Sequence, residues 1–484
     1  MSVFILTTGA LIAIVLPLLT GLFIVMCPQK AARVLAIVAG VIATAATLII
    51  WCGLAASPEE ALRVSLVTIG KVEVIGFVFD RISVMLAACF VGIGLLITIY
   101  TVGYLNEGNR EHPDLPRRRF FAAFIVFIGA MAGIVYSSTL VGMLVFFEVT
   151  GICSWLLIGY YGNENSERSA LKALILTQIG ALGLFIAVGY LFAAAGTFEV
   201  SAIASLSDFN KAVLLILILI AAWAKSAQLP FYMWLPSAMV APTPVSAYLH
   251  GASMVKVGVA VMARVLAEAG AIPEVVGWVI VVGALATLLF SFFMYLPQKD
   301  MKRLLAFSTI SQISYMFLGF GFFVFGSDLA FEGSVMHIFN HAFAKTLFFL
   351  IAGAFSYTMG TRMFPRLRGV LRKQPLLGVG FAVAALAIAG APPLNGFFSK
   401  FAIFAGSFEA ASGNWLLLAI VVVALIETVA CFAWFLKWIG WVLPGEPSDE
   451  VAAAAPLPKT MGFVFVVLII FTVVSSFIAA AWLG

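Results

Sequence analysis

Charge is scarce in this 484-residue chain: Asp, Glu, Lys and Arg make up 10% of it, against about 25% in a soluble domain. That shortage excludes a water-soluble globular protein. The hydrophobic share is 63%, so the chain reads as a polytopic integral membrane protein. Cysteine is sparse and scattered, with five residues at 27, 52, 89, 153 and 431, no CxxC pair and none close to a histidine in sequence. This scatter argues against a zinc or iron–sulfur centre built by the chain alone. The opening stretch, "MSVFILTTGALIAIVLPLLTGLFIVM", lacks a charged leader and a clear small-residue cleavage site. It is expected to remain as a first membrane helix. The net charge of +5 says little about partners, because topology organises the basic residues of a membrane protein. The lipid bilayer is the expected surrounding, and no nucleic-acid partner is expected.

Apolar runs of membrane-spanning length fall at about 3–26, 35–56, 79–104, 119–136, 138–161, 167–195, 211–235, 243–268, 275–296, 303–325, 329–358, 375–408, 414–440 and 460–482. The expected fold is therefore all-α, with about 14 transmembrane helices. Residues 63–78, "RVSLVTIGKVEVIGFV", alternate in polarity and contain a glycine turn, which predicts a short hairpin outside the membrane. Assigned to loops, basic residues alternate: eighteen fall in odd-numbered loops and five in even-numbered ones. The positive-inside rule then places the odd loops in the cytoplasm and both termini outside. Four lysines are left over, Lys225, Lys256, Lys345 and Lys400, and all four fall within spans.

A lysine at the centre of a spanning helix costs about 2.5–3.5 kcal/mol to insert. Two carboxylates, Glu148 in "LVFFEVTG" and Glu427 in "ALIETVACF", lie within spans as well, as do three of the four histidines, His250, His337 and His341. Inert pairing or snorkelling accounts poorly for the whole set, since Lys225, Lys256 and Lys345 lie mid-span. For Glu427 an inert buried role and a functional one are both open. In "HIFNHAFAK" the ionisable residues recur at i, i+4 and i+8, which stacks His337, His341 and Lys345 on one helix face. A desolvated lysine gives up its proton more readily and holds it more tightly beside a carboxylate. Histidine exchanges protons near neutral pH through either ring nitrogen. The pattern points to a proton relay, with Glu148 and Lys225 as a pair that opens and closes, and with water linking the sites.

Two spans carry breaks. The seventh reads "AAWAKSAQLPFYMWLP", with Pro230 five residues after Lys225; the twelfth reads "AIAGAPPLNGFFSKF", with Pro392, Pro393 and Gly396 just before Lys400. Proline frees a helix carbonyl, and inside a bilayer such breaks survive only where protein or water satisfies the backbone. Broken helices in matching positions suggest two inverted five-helix repeats. The expected organisation is 1–118 (three helices and the outer hairpin), 119–270 (first repeat, helices 4–8), 271–442 (second repeat, helices 9–13) and 443–484 (a loop and helix 14).

The stretches "FFEVTG", "AAWAKSAQLPFYMWLPSAMVAPTPVSAYLHGASMVKVG", "MYLPQKDMKRLLAFSTISQ", "HIFNHAFAKTLFFL" and "APPLNGFFSKF" resemble the antiporter-like proton-channel subunits of respiratory complex I, of multi-subunit cation/proton antiporters and of membrane-bound hydrogenases. Within that family, "TIYTVGYLNEGNREHP", "GAMAGIVYSSTLVGMLVFFE", "ERSALKALILTQIG", "FPRLRGVL" and "VLPGEPS" are most similar to the hydrogenase-4 branch. A chain ending after its fourteenth span also fits that branch. The resemblance implies a proton-translocating subunit of a hydrogenase-4 or formate hydrogenlyase-type complex in a bacterial or archaeal cytoplasmic membrane. It implies no cofactor on this chain, with nickel–iron and iron–sulfur centres on partner subunits. Expected partners are other antiporter-like and small membrane subunits, a membrane anchor and a peripheral hydrogenase arm. It implies relay roles for Glu148, Lys225, Lys256, His250, His337, His341, Lys345 and Lys400, with Lys400 facing the outer exit. Many relatives follow the sixth-span "LKA" with a Gly-Asp pair, where this chain has Gly180-Ala181. An ion pair that tunes the lysine switch there is missing or replaced. A subunit of a sodium/proton antiporter without redox partners, and a non-pumping structural subunit, are the competing readings.

Overall fold

The structure is a computed structural model that describes residues 3–55, 61–113 and 117–484. Twelve helices in it are long and apolar enough to cross a membrane. In order of passage they are Val3–Ile24 (first), Gln29–Ala55 (second), Arg81–Tyr104 (third), Arg118–Tyr136 (fourth), Leu140–Ile158 (fifth), Glu164–Ala195 (sixth), Thr243–Glu268 (eighth), Glu274–Tyr295 (ninth), Met301–Val324 (tenth), Asp328–Met359 (eleventh), Trp415–Val442 (thirteenth) and Lys459–Leu483 (fourteenth). Two broken passes complete the set. The seventh runs as helix Asp208–Lys225 followed by short helical turns through Val240, and the twelfth as Pro375–Ala389 and Asn395–Ala410. The fourteen expected passes are all present among the described residues, three of them in pieces.

The breaks fall where the prolines put them, and the backbone turns through the left-handed region at each: Ala227 at φ +53° in the seventh pass, Gly390 at φ +90° in the twelfth. At the twelfth, Gly396 is obligatory, because a Cβ there would collide with the Ala387 carbonyl oxygen. A carbonyl freed at the twelfth-pass break, that of Ile388, is met by Lys400 Nζ (3.1 Å), as membrane burial demands. Asn340 Nδ2 donates to the Asn395 carbonyl (3.0 Å) and to Ser476 Oγ (2.8 Å), and Asn395 Nδ2 donates to the Asn340 carbonyl (2.8 Å) and to Ser475 Oγ (2.9 Å). The eleventh and fourteenth passes thus clamp the broken twelfth.

One expectation is corrected. The eighth pass is not one continuous helix: Thr243–Gly251 stops and Met254–Glu268 restarts after Ala252 and Ser253. Ser253 turns its hydroxyl back onto the Tyr248 carbonyl (2.8 Å), and its own carbonyl accepts from the Lys256 N–H (2.7 Å). A serine bonding to its own backbone competes with the helix ladder without any proline. The break separates His250 from Lys256.

The hairpin forms as antiparallel strands β1 (Leu62–Ile69) and β2 (Val72–Phe79), joined through Gly70 at φ +63°. It lies on the face where the third pass starts and the fourteenth ends: Trp482 Nε1 donates to the Arg81 carbonyl (2.7 Å) and Arg81 Nη1 to the Leu483 carbonyl (2.8 Å). On this hairpin face Arg264 forks onto both carboxylate oxygens of Asp80, and Arg63 meets Glu268 (2.8 Å). On the opposite, basic face Arg362 bridges Asp300 (2.8 Å) and Glu111. The eighth and eleventh passes are buried along their apolar length. They form the centre of the molecule, and both carry ionisable residues.

Candidate functional site

The seventh helix ends on Lys225, whose side chain is fully buried. Its ammonium donates to the Phe147 carbonyl (3.0 Å) and sits 4.3 Å from the Phe147 ring centroid. The expected Glu148–Lys225 pair is not closed here. Glu148 Oε2 accepts from Gln178 Nε2 (2.6 Å), while Oε1 has no hydrogen-bond partner among the described residues. Gln178 belongs to the sixth pass, three residues before Ala181, so a neutral amide engages Glu148. Gly180 lets that pass close on the seventh, since a Cβ there would collide with Ala224 Cβ.

Ser226 Oγ donates to the Val255 carbonyl (2.9 Å) and ties the end of the seventh helix to the eighth pass beside Lys256. Lys256 Nζ bonds His341 Nδ1 at 2.8 Å, across the molecule from the eighth pass to the eleventh. A protonated Lys256 donates here, so Nδ1 is the acceptor and His341 Nε2 carries the ring proton. One helical turn away, the His337 ring lies 5.8 Å from that of His341, centroid to centroid. His337 Nδ1 meets Ser399 Oγ (2.8 Å) and its Nε2 meets Gln312 Oε1 (3.2 Å). Ser399 precedes Lys400 in the second half of the broken twelfth pass.

Along this helix face the ionisable groups bond to different passes, His337 to the tenth and twelfth and Lys345 to the tenth. Lys345 Nζ donates to Ser308 Oγ (2.9 Å) on the tenth pass. His250 Nδ1 lies 3.3 Å from the neighbouring Thr309 Oγ1. Six and seven residues earlier on that same helix, about 10 Å along its axis, is Lys302. It is buried, and donates to the Ala241 carbonyl (2.7 Å). Lys302 lines a cavity of about 450 Å³ with Tyr104, Glu111, Asn163, Thr243 and Arg362. One set of polar groups thus runs toward the basic face and another toward Ser399 and Lys400.

Lys400 Nζ donates to the Ile388 carbonyl (3.1 Å) and lies 4.7 Å from the Tyr315 ring centroid. Glu427, buried on the thirteenth pass, accepts from Tyr315 Oη, from Tyr295 Oη (3.1 Å) and from Ser311 Oγ (3.3 Å). Sequence reasoning sets Lys302 at a loop edge and passes over Gln312, Ser399, Tyr295 and Tyr315. The signal for several is present: Lys302, Ser308, Thr309, Gln312 and Tyr315 recur along one apolar helix. Among the described residues, no three His, Cys, Asp or Glu side chains come together as metal ligands would.

Residues 137–427 match the family model described as "NADH:quinone oxidoreductase/Mrp antiporter, TM". The chain belongs to this family. It is 37% identical over 379 residues to the A/B component of a probable K(+)/H(+) antiporter of Rhizobium meliloti (strain 1021), covering 77% of this chain and 37% of that protein. It is 34% identical over 390 residues to the A1 component of a Na(+)/H(+) antiporter of Staphylococcus haemolyticus (strain JCSC1435), covering 76% and 47%. This family member thus spans less than half the length of these curated relatives. A chain in the "Structure of Mrp complex from Dietzia sp. DQ12-45-1b" superposes with a TM-score of 0.83 at 27% identity, over 97% of this chain and 50% of that one. A chain of an archaeal membrane-bound sulfane sulfur reductase also gives a TM-score of 0.83, at 20% identity over 98% and 95%, which is a likeness of fold. The chain is an antiporter-like, multi-pass membrane protein of this family.

Proposed function

We propose that this chain moves protons across the membrane as one subunit of a multi-subunit cation/proton exchanger. The observation that carries the reading is the Lys256–His341 bond at 2.8 Å, in the middle of a buried run of exchangeable groups reaching from Lys225 to Lys400. Buried charge at this density is retained in membranes for ion or proton paths. The named relatives, components of K(+)/H(+) and Na(+)/H(+) antiporters, support exchange as the process.

In this reading the basic face is cytoplasmic. Protons enter past Lys225 and Ser226, or through the cavity beside Lys302, and meet at Lys256. The Lys256 ammonium passes a proton to His341 Nδ1 while Nε2 releases one, so the imidazole ends neutral. His337 and Ser399 carry the charge on to Lys400, and Glu427 receives it near the outer exit. Water bridges the longer steps. Closing of the Glu148–Lys225 pair, biased by a neighbouring subunit, gates the transfer. The assembled complex in proteoliposomes is expected to acidify or alkalinise its lumen when a sodium or potassium gradient is imposed. Lys256→Ala is expected to abolish this. Exchange undiminished in Lys256→Ala overturns the reading.

A second reading is favoured by the stretches shared with the hydrogenase-4 branch: the chain as hydrogenase-4 component D, driven by nickel–iron and iron–sulfur chemistry on partner chains. Gentle purification on a tag carried by this chain separates the two. Nickel and hydrogen-dependent dye reduction in the purified complex support the redox complex. Their absence, with only further multi-pass antiporter-like chains recovered, supports exchange.

A further inference from the structure

Both lysines beside the helix breaks rest on an aromatic ring. Lys225 lies over Phe147 of the fifth pass and Lys400 over Tyr315 of the tenth. These passes hold the same place, second, in the two expected five-pass units. Each lysine also donates to one backbone carbonyl, and neither is in an ion pair among the described residues. In each half a carboxylate is engaged elsewhere. Gln178 holds Glu148, while Tyr295, Ser311 and Tyr315 hold Glu427.

A buried ammonium without a counter-ion is costly. An aromatic face offsets part of that cost, and more so where water is excluded. It holds a cation less tightly than a carboxylate does, so the ammonium can leave. Two seats of comparable depth make a bistable element. We propose that Phe147 and Tyr315 are positioning residues that give Lys225 and Lys400 a second seat, so that each lysine alternates between a ring and the nearby carboxylate. The open state is the one seen here. Phe147 with Gln178 holds it in the first half. In the second half Tyr315 takes part in both, with its ring under the lysine and its hydroxyl, beside those of Tyr295 and Ser311, on Glu427.

The inference rests on the ion-transfer reading above, and its test separates the two. The assembled complex is reconstituted with Phe147→Leu, Phe147→Trp, Gln178→Leu and Tyr315→Leu. Removing a ring is expected to lower flux about tenfold, and Phe147→Trp is expected to restore it. Infrared difference spectra, with the Glu148 band assigned through Glu148→Gln, report the pair directly. Phe147→Leu and Gln178→Leu are both expected to shift that band toward the ion-paired carboxylate, the second without touching the ring. Phe147→Met replaces Phe147→Leu if the latter does not assemble. A folded complex with unchanged flux and an unmoved Glu148 band overturns the proposal. A wild-type complex that conducts nothing, while the ring variants still move the band, removes the transport reading and leaves the second seat standing.

Discussion

At the scale of single residues, the Lys256–His341 bond is useful to a relay only if Lys256 can give up its proton. Arginine at this position would keep the charge and the donor but would not deprotonate in a protein. Lys256→Arg is therefore expected to assemble and to lose at least tenfold in proton flux, read in proteoliposomes against wild type. Wild-type flux in Lys256→Arg would assign Lys256 a purely electrostatic role. The residues on which this rests are legible in the sequence because lysine mid-span is expensive and histidine spaced by four is directional. Lys302 is not, because a lysine two residues into a helix looks like an interface anchor until the loops fold over it. Nor are the bonds made by His337, His341 and Lys345. The i, i+4, i+8 spacing shows which side chains share a face, while the partners of that face come from the eighth, tenth and twelfth passes.

At the scale of elements, breaks written in proline can be read ahead of the structure and the break written in serine cannot. "HGAS" contains no proline, and at the break the Ser253 hydroxyl turns onto the Tyr248 carbonyl. The twelfth pass shows the cost of filling a break. A methyl at Gly396 would collide with the Ala387 carbonyl, so Gly396→Ala is expected to destabilise by about 1–3 kcal/mol through overpacking, with a lowered thermal midpoint in detergent. Ser475→Ala, which removes one hydroxyl of the clamp, is expected to cost less, about 1 kcal/mol. Equal effects would mean that the clamp, and not the close approach, holds the break.

The hairpin face carries its own titration. Burial alone would raise the Asp80 carboxyl, but the Arg264 charge and the hydrogen bonds from Arg264 and Ser83 hold it below the usual carboxylate range. Such a group contributes stability that is complete above the unfolded-state value, near pH 4, and is lost as pH falls through the lowered folded value. Thermal stability is thus expected to hold at neutral pH and to fall on acidification below about pH 4. Asp80→Asn is expected to flatten that acid limb and lower the midpoint at neutral pH, because it leaves the buried Arg264 guanidinium with only its longer contact to Glu268 (3.3 Å) as an ion pair.

At the scale of the whole molecule, the burial pattern marks out one surface of mixed character. Val145 and Ile152 on the fifth pass, and Ile175 and Ile179 on the sixth, are exposed, as a lipid-facing surface should be. Glu148 and Gln178 lie among them, only half buried, although the oxygen that each keeps without a partner among the described residues is itself buried. A half-buried Glu–Gln pair beside acyl chains carries a large penalty at this depth, which a protein covering that surface would lower. The surface between the fifth and sixth passes is therefore expected to be covered by a neighbouring membrane subunit, which also supplies the bias on the Glu148–Lys225 pair. A photo-crosslinking residue at Ile175 in the native complex is expected to capture a second polypeptide. The same probe at Leu22 on the first pass, an exposed position with no polar neighbour of this kind, is expected to capture chiefly lipid. Lipid adducts alone at Ile175 would leave this surface to the bilayer and remove the route by which a neighbour could gate the lysine.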